Sequence, residues 1–239
     1  MKIHHFVFPI FLTALFGIFF NMAYAEGTVE GLVLAKAPIN QSDMESIKRG
    51  AKLFATNCLS CHTLIYLRYD KIAKEAGITY EKMPLNVTNW PNGVVPPDLS
   101  LEADVRGIDW IYTYLHSFYK DPARPTGVNN LLVPNTAMPN IVGPYQGEQE
   151  LVAHPMRDLY NNVEWYDLLV LKRQGTMKPE EFEIMMADIV NFLAYAAAPY
   201  HVEQHRIGFW VILFLCVIFV MLYFLKKEYW KDVKKHKKE

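Results

Sequence analysis

Five consecutive residues, Cys58-Leu59-Ser60-Cys61-His62, constrain this chain more tightly than any other stretch. The spacing is Cys-x-x-Cys-His, that of covalent haem attachment. Two thiols so placed can reach the two vinyl groups of one porphyrin, and the adjacent imidazole then meets the iron from one face. A fold built around the motif must wrap a flat, largely apolar ring. The Cys-x-x-Cys half alone also suits a redox dithiol. The histidine directly after the second cysteine favours haem, as does the export signal at the N-terminus. The third cysteine, Cys216, sits in an apolar run as a small hydrophobe, which leaves no cysteine for a disulfide framework.

The two ends of the chain give one topology. Lys2, the apolar stretch Phe6 to Phe20 and Ala23-Tyr24-Ala25 read as a signal peptide over 1–25, cleaved before Glu26. The stretch is short for a retained N-terminal anchor. Near the other end, Ile207 to Leu225 is 19 residues without a charge, close to the length that spans a bilayer. Trp210, Tyr223, Tyr229 and Trp230 flank it, and seven lysines lie between Lys226 and Lys238. The expected organisation is an exported domain over 26–205, a transmembrane anchor over 206–226 and a basic cytoplasmic tail over 227–239. The positive-inside tendency orients it, with the 26–205 domain on the periplasmic side of the inner membrane.

The net charge of −1 conceals an asymmetry. Residues 26–205 hold 15 Lys+Arg against 22 Asp+Glu, whereas 226–239 hold 7 lysines against 3 acids. An acidic body argues against nucleic acid as a partner and suits the steering of a basic protein.

Between the ends, helical periodicity dominates. Ser42-Asp43-Met44-Glu45 fits a capping box with Ser42 as N-cap. Met44, Ile47, Ala51 and Phe54 then predict a helix to about Asn57 that leads into the haem motif. Phe182, Met185, Met186, Ile189, Val190 and Leu193 predict a second, from Pro179 to a stop at Pro199. Asp104 to Phe118 reads as a third helix and Val163 to Lys172 as a weaker fourth. No strand pattern matches these in strength. The rest is rich in Pro, Gly and Asn, so the expected fold is mainly α with long loops around the cofactor.

A haem that only carries electrons needs both axial positions filled, and methionine opposite histidine raises its potential. Outside the predicted helices the thioethers are Met83, Met138, Met156 and Met177. Met83 and Met138 both precede proline, which favours an extended backbone. Met138 is preferred, since Met83 follows His62 closely and leaves little chain to pass around the ring. His154 is an alternative ligand. His116 reads as structural, and His201 and His205 share a helix face that suits membrane-surface or partner contact.

Together the motifs resemble the cytochrome c1 family, haem subunits of the cytochrome bc1 complex (ubiquinol–cytochrome c reductase). The resemblance rests on Cys58-Leu59-Ser60-Cys61-His62, Pro96-Pro97-Asp98-Leu99-Ser100, Arg106 before an aromatic-rich helix, Pro125-Thr126-Gly127-Val128, Ala137-Met138-Pro139 and the C-terminal anchor. It implies a class I cytochrome c-like domain with one covalently bound haem c (iron), attached at Cys58 and Cys61. It implies His62 and Met138 as axial ligands, Arg106 at a haem propionate, and Pro97 and Asn92 beside the cofactor. A backbone carbonyl near Pro97 would orient the His62 ring. The implied partners are cytochrome b, the Rieske iron–sulfur protein, a cytochrome c-type electron acceptor and membrane lipid, within a dimeric complex. No bond chemistry falls to this chain alone. The alternatives are a free-standing anchored cytochrome serving a terminal oxidase, and a haem enzyme or gas sensor with an open iron site. The segment from Pro144 to Thr176 is longer than the family leads one to expect, and there is no long acidic cluster.

Overall fold

Asp43, one residue later than the capping box places it, starts the helix that carries the haem motif. Its carboxylate accepts from the N–H groups of Glu45 and Ser46, both at 3.1 Å, while Ser42 is tied back to Asn40. A carboxylate at this position satisfies two orphan donors and complements the positive helix end. The computed structural model describes residues 31–85, 87, 89–90, 93–152, 158 and 161–236. The signal region, Asn92, His154 and Met156 lie outside them.

The first helix, α1 (Met44–Asn57), buries Ile47, Ala51 and Phe54 on one face, as its periodicity predicts. A short α2 (Lys71–Glu75) is capped by Asp70. The predicted helix over 104–118 is broken in two: α3 (Glu102–Val105) and α4 (Ile108–His116). Gly107 lies between them at φ +90, a left-handed backbone that glycine adopts without steric cost and that ends the run. Phe118 belongs instead to strand β2 (Phe118–Lys120). The proline-rich loop 121–127 then returns the chain as β3 (Val128–Asn130).

After α5 (Gly143–Gln146), the described part of the long segment that departs from family expectation holds a hairpin. The helix expected over 163–172 is strand at Val163–Glu164 and from Leu169, with a short 3-10 turn at Trp165–Leu168 between. Strand β4 (Gly147–Leu151) pairs antiparallel with β6 (Leu169–Gln174), with a bulge at Glu148/Gln149. The Gln149 amide donates to His116 O at 2.8 Å and Phe118 O at 2.9 Å, which fastens the hairpin to α4 and β2. Strand β1 (Leu32–Val33) pairs in parallel with β5 (Val163–Glu164). Strands β1, β2, β3 and β5, of two or three residues, are too short to show a period of two, and β6 shows none because it is exposed after Leu169. The chain remains mainly helical.

The core forms where α1 crosses α6 (Pro179–Ala197). The apolar face of α6 is buried as predicted, and Phe54 meets Phe192 edge-on at 5.7 Å. Gly50 lets the backbones touch, because a Cβ there would collide with Asp188 O and press on Phe192 Cβ. Beside it, the Asp188 carboxylate is only 6% exposed and receives both arms of Arg49, at 2.7 and 2.8 Å. A bidentate fork is the pairing that makes a buried carboxylate tolerable. Asn191 bonds Asn40 O at 2.9 Å and Ser46 Oγ at 3.0 Å, and Tyr195 OH donates to Asp70 at 2.7 Å.

The last helix, α7 (His201–His236), projects Ile207–Lys231, whose most apolar 18 residues have mean hydropathy 2.8 and are unburied. At about 1.5 Å per residue this stretch exceeds a hydrocarbon core of about 30 Å.

Replacing Gly50 by Ala should destabilise the haem-loaded protein by about 2–3 kcal/mol, because the crossing cannot open without losing its packing. Denaturant unfolding checks it, and unchanged stability would mean that the two helices are not held at this distance.

Candidate functional site

Helix α1 hands the chain directly into the motif. Cys58 ends the helix by donating its N–H to Phe54 O at 2.9 Å. The N–H groups of Cys61 and His62 then both turn back on Cys58 O, at 3.0 and 2.8 Å. Cys58 and Cys61 are thus adjacent, and both are free thiols. Burial pushes the Cys58 thiol up to about 12, with a further contribution from Cys61.

His62 Nδ1 lies 2.9 Å from Pro97 O. A carbonyl oxygen only accepts, so Nδ1 carries the proton and Nε2 keeps the free lone pair. Burial holds the imidazole below its ordinary value, against the opposing effect of the Pro97 bond. The neutral ring is the form that binds a metal.

Asp98 brings these two distant segments together. Its Oδ2 accepts from Thr63 Oγ1 at 2.6 Å and Ile65 N at 3.0 Å, and its Oδ1 from Ser100 N at 3.0 Å. Ser100 Oγ accepts from Tyr66 N, and Leu99 N donates to Thr63 O at 2.9 Å. Burial alone would raise the Asp98 carboxyl. The hydrogen bonds from Ser100, Thr63 and Ile65 outweigh it, so the group is held below the usual aspartate value.

Met138 is half-buried in the loop after β3, and Tyr114 OH donates to its Sδ at 3.5 Å. Two buried asparagines shape this loop. Asn129 Oδ1 accepts from Asn135 N at 2.8 Å, and Asn130 joins Leu132 N to Tyr114 O. Met83, by contrast, is 5% exposed and belongs to the main core, and Met177 packs against that core.

Arg106 pairs with Glu102 at 3.3 Å and lies 5.0 Å over the Trp110 ring. It does not pair with Asp104 or Asp109, and Asp109 instead accepts from Ala37 N. His116 is buried within the helical core. Its Nδ1 donates to Tyr112 O at 2.7 Å, while Nε2 faces Glu183 at 3.4 Å without hydrogen-bond alignment. Tyr112 OH donates to the same Glu183. Sequence reasoning assigns no individual role to Tyr114, Thr136 or Asp98. The spacing of four between Arg106, Trp110, Tyr114 and Phe118 was the one available signal.

Two free adjacent thiols and an imidazole with Nε2 unused form a donor set that fits a covalently attached haem. The profile of the Cytochrome C1 family matches residues 34–89 and 85–233. The chain belongs to the cytochrome c1 family. It is 41% identical over 220 residues to cytochrome c1 of Allochromatium vinosum, covering 84% of this chain and 89% of that protein. It is 34% identical over 228 residues to a protein named ammonia monooxygenase gamma subunit in Nitrosomonas europaea, covering 87% and 92%. Similarity extends to the mitochondrial cytochrome c1 haem protein of Saccharomyces cerevisiae, 26% identical over 238 residues, 84% and 71% covered. As a member of this family, the chain is a haem c subunit of the bc1 complex, held by a single-pass C-terminal anchor.

Because Asp98 has a lowered value in the folded protein, its contribution to stability is present above the ordinary aspartate range. It is lost as pH falls through its folded value. Asp98→Asn should therefore flatten the acid limb of the stability curve and cost about 2 kcal/mol at neutral pH. Thermal unfolding across a pH series checks both, and an unaltered acid limb would remove Asp98 from this role.

Proposed function

We propose that this chain is the electron relay of its complex, accepting one electron from the Rieske iron–sulfur protein and passing it to a cytochrome c-type acceptor. The observation that carries the reading is the 2.9 Å contact of His62 Nδ1 with Pro97 O, next to two free thiols. It leaves Nε2 directed by a rigid, proline-braced segment and chemically ready for iron.

In this reading Cys58 and Cys61 would attach the haem, and His62 and Met138 would ligate its iron. Bound haem c supplies a one-electron iron couple whose potential a histidine–methionine pair keeps high. The protein's residues fix both ligands and exclude water and diatomic gases from the iron. Pro97 lines the histidine side, and the family resemblance adds Asn92 as a cofactor contact. Arg106 is half-exposed, and its charge is only partly used by Glu102, so it can also meet a propionate carboxylate.

The topology follows from charge. The basic tail stays in the cytoplasm, and the acidic domain is exported behind the 1–25 signal peptide to the periplasmic side of the inner membrane. There the acidic surface steers a basic acceptor. The apolar length of α7 packs beside cytochrome b and lipid, within a dimeric complex.

Met138→Leu should lower the potential sharply and let the reduced protein bind carbon monoxide. Met83→Leu should do neither, and should cost stability through the core. If Met83→Leu opens the iron instead, the ligand assignment is wrong. Cys58→Ala and Cys61→Ala should each weaken or abolish haem retention on a denaturing gel. Full retention in both would contradict covalent attachment at this motif.

A further inference from the structure

The proposed ligand set leaves one well-built feature unused. Arg106, Trp110, Tyr114 and Phe118 recur every four residues, so they form one row along α4 and its flanks. Arg106 lies over Trp110 at 5.0 Å. Trp110 and Tyr114 stack at 5.2 Å with planes 5° apart, and Tyr114 meets Phe118 edge-on at 5.2 Å. The Tyr114 ring is thus clamped along the row from both sides.

Its hydroxyl has two partners. Thr136 Oγ1 is 3.0 Å away and Met138 Sδ is 3.5 Å away. A thioether sulfur carries no proton and only accepts. Thr136 and Tyr114 each have one hydroxyl proton to give. Both contacts are satisfied together in one order: Thr136 donates to the Tyr114 oxygen, and Tyr114 donates to the sulfur. Thr136 is itself buried, and its N–H is tied to Val133 O, so the far end of this chain is fixed.

We propose that Tyr114 is a positioning residue for the Met138 sulfur: its hydroxyl, oriented by Thr136, occupies one sulfur lone pair, leaves the other for iron and raises the reduction potential. This rests on Met138 being an axial ligand. A proton donor on the sulfur withdraws electron density and makes it a poorer donor to ferric than to ferrous iron. The same bond restrains a ligand that sits on a loop rather than on a helix.

The test is an equilibrium redox titration of the full-length, haem-loaded chain. It is read with the charge-transfer band that a methionine sulfur gives with ferric iron. Tyr114→Phe keeps the ring and its stacking but removes the donor. It should favour oxidation by about threefold to tenfold, a fall of up to about 59 mV for one electron, with the band shifted but present. Thr136→Val touches no ligand and covers the case in which Tyr114→Phe fails to fold. It should lower the potential in the same direction by less. An unchanged potential and band in Tyr114→Phe would overturn the proposal. So would a rise in Thr136→Val, which would mean that Tyr114 gives its proton to Thr136. If the unaltered protein lacks the band and Met138→Leu leaves its ferric spectrum unchanged, the ligand reading itself has failed, and this inference with it.

Discussion

The close crossing of α1 and α6 governs the rest of this structure. Gly50 admits the Asp188 backbone, and Arg49 clamps the Asp188 side chain at the same place. The crossing fixes the far end of α1, from which Cys58, Cys61 and His62 emerge. A haem motif on a loose segment would present its histidine in many directions. Here the last turn of a packed helix presents it in one, and sliding of the two helices would leave the buried Asp188 carboxylate without its Arg49 partner.

The second constraint is local and polar. Asp98 gathers donors from Thr63, Ile65 and Ser100, and in doing so places Pro97 O against the imidazole. On the methionine side, Asn129 and Asn130 perform the equivalent task for the loop that ends at Met138. Both proposed ligands therefore depend on buried side-chain-to-backbone bonds. Such bonds suit an electron carrier, in which ligands that hold still keep reorganisation small.

The helices that organise the site were legible in the sequence because they are long and periodic. The stretches Met44 to Asn57 and Pro179 to Ala197 each bury an apolar face that recurs at three and four residues. The errors arose where one residue overrode the pattern. Gly107 splits the helix expected over 104–118, and Asp43 outcompetes Ser42 for the cap because a carboxylate is the stronger acceptor. The segment 163–172, expected as a helix, is strand at both ends around the 3-10 turn Trp165–Leu168. Its strands pair with Leu32–Val33 and Gly147–Leu151, and non-local pairing leaves no local mark. The haem motif itself was legible because its spacing is local. The roles of Asp98 and Tyr114 were not, because each depends on contacts with residues more than twenty positions away.

As a member of the cytochrome c1 family, this chain is a haem c subunit of the bc1 complex, alongside cytochrome b. The most direct measurement is a reduced-minus-oxidised absorption spectrum of the tagged full-length chain, purified in mild detergent. Bands of both c-type and b-type haem are expected, because an anchor packed as proposed would bring cytochrome b with it. A c-type band alone, under conditions that leave other membrane complexes intact, would contradict the assembly, and no c-type band would contradict the site itself.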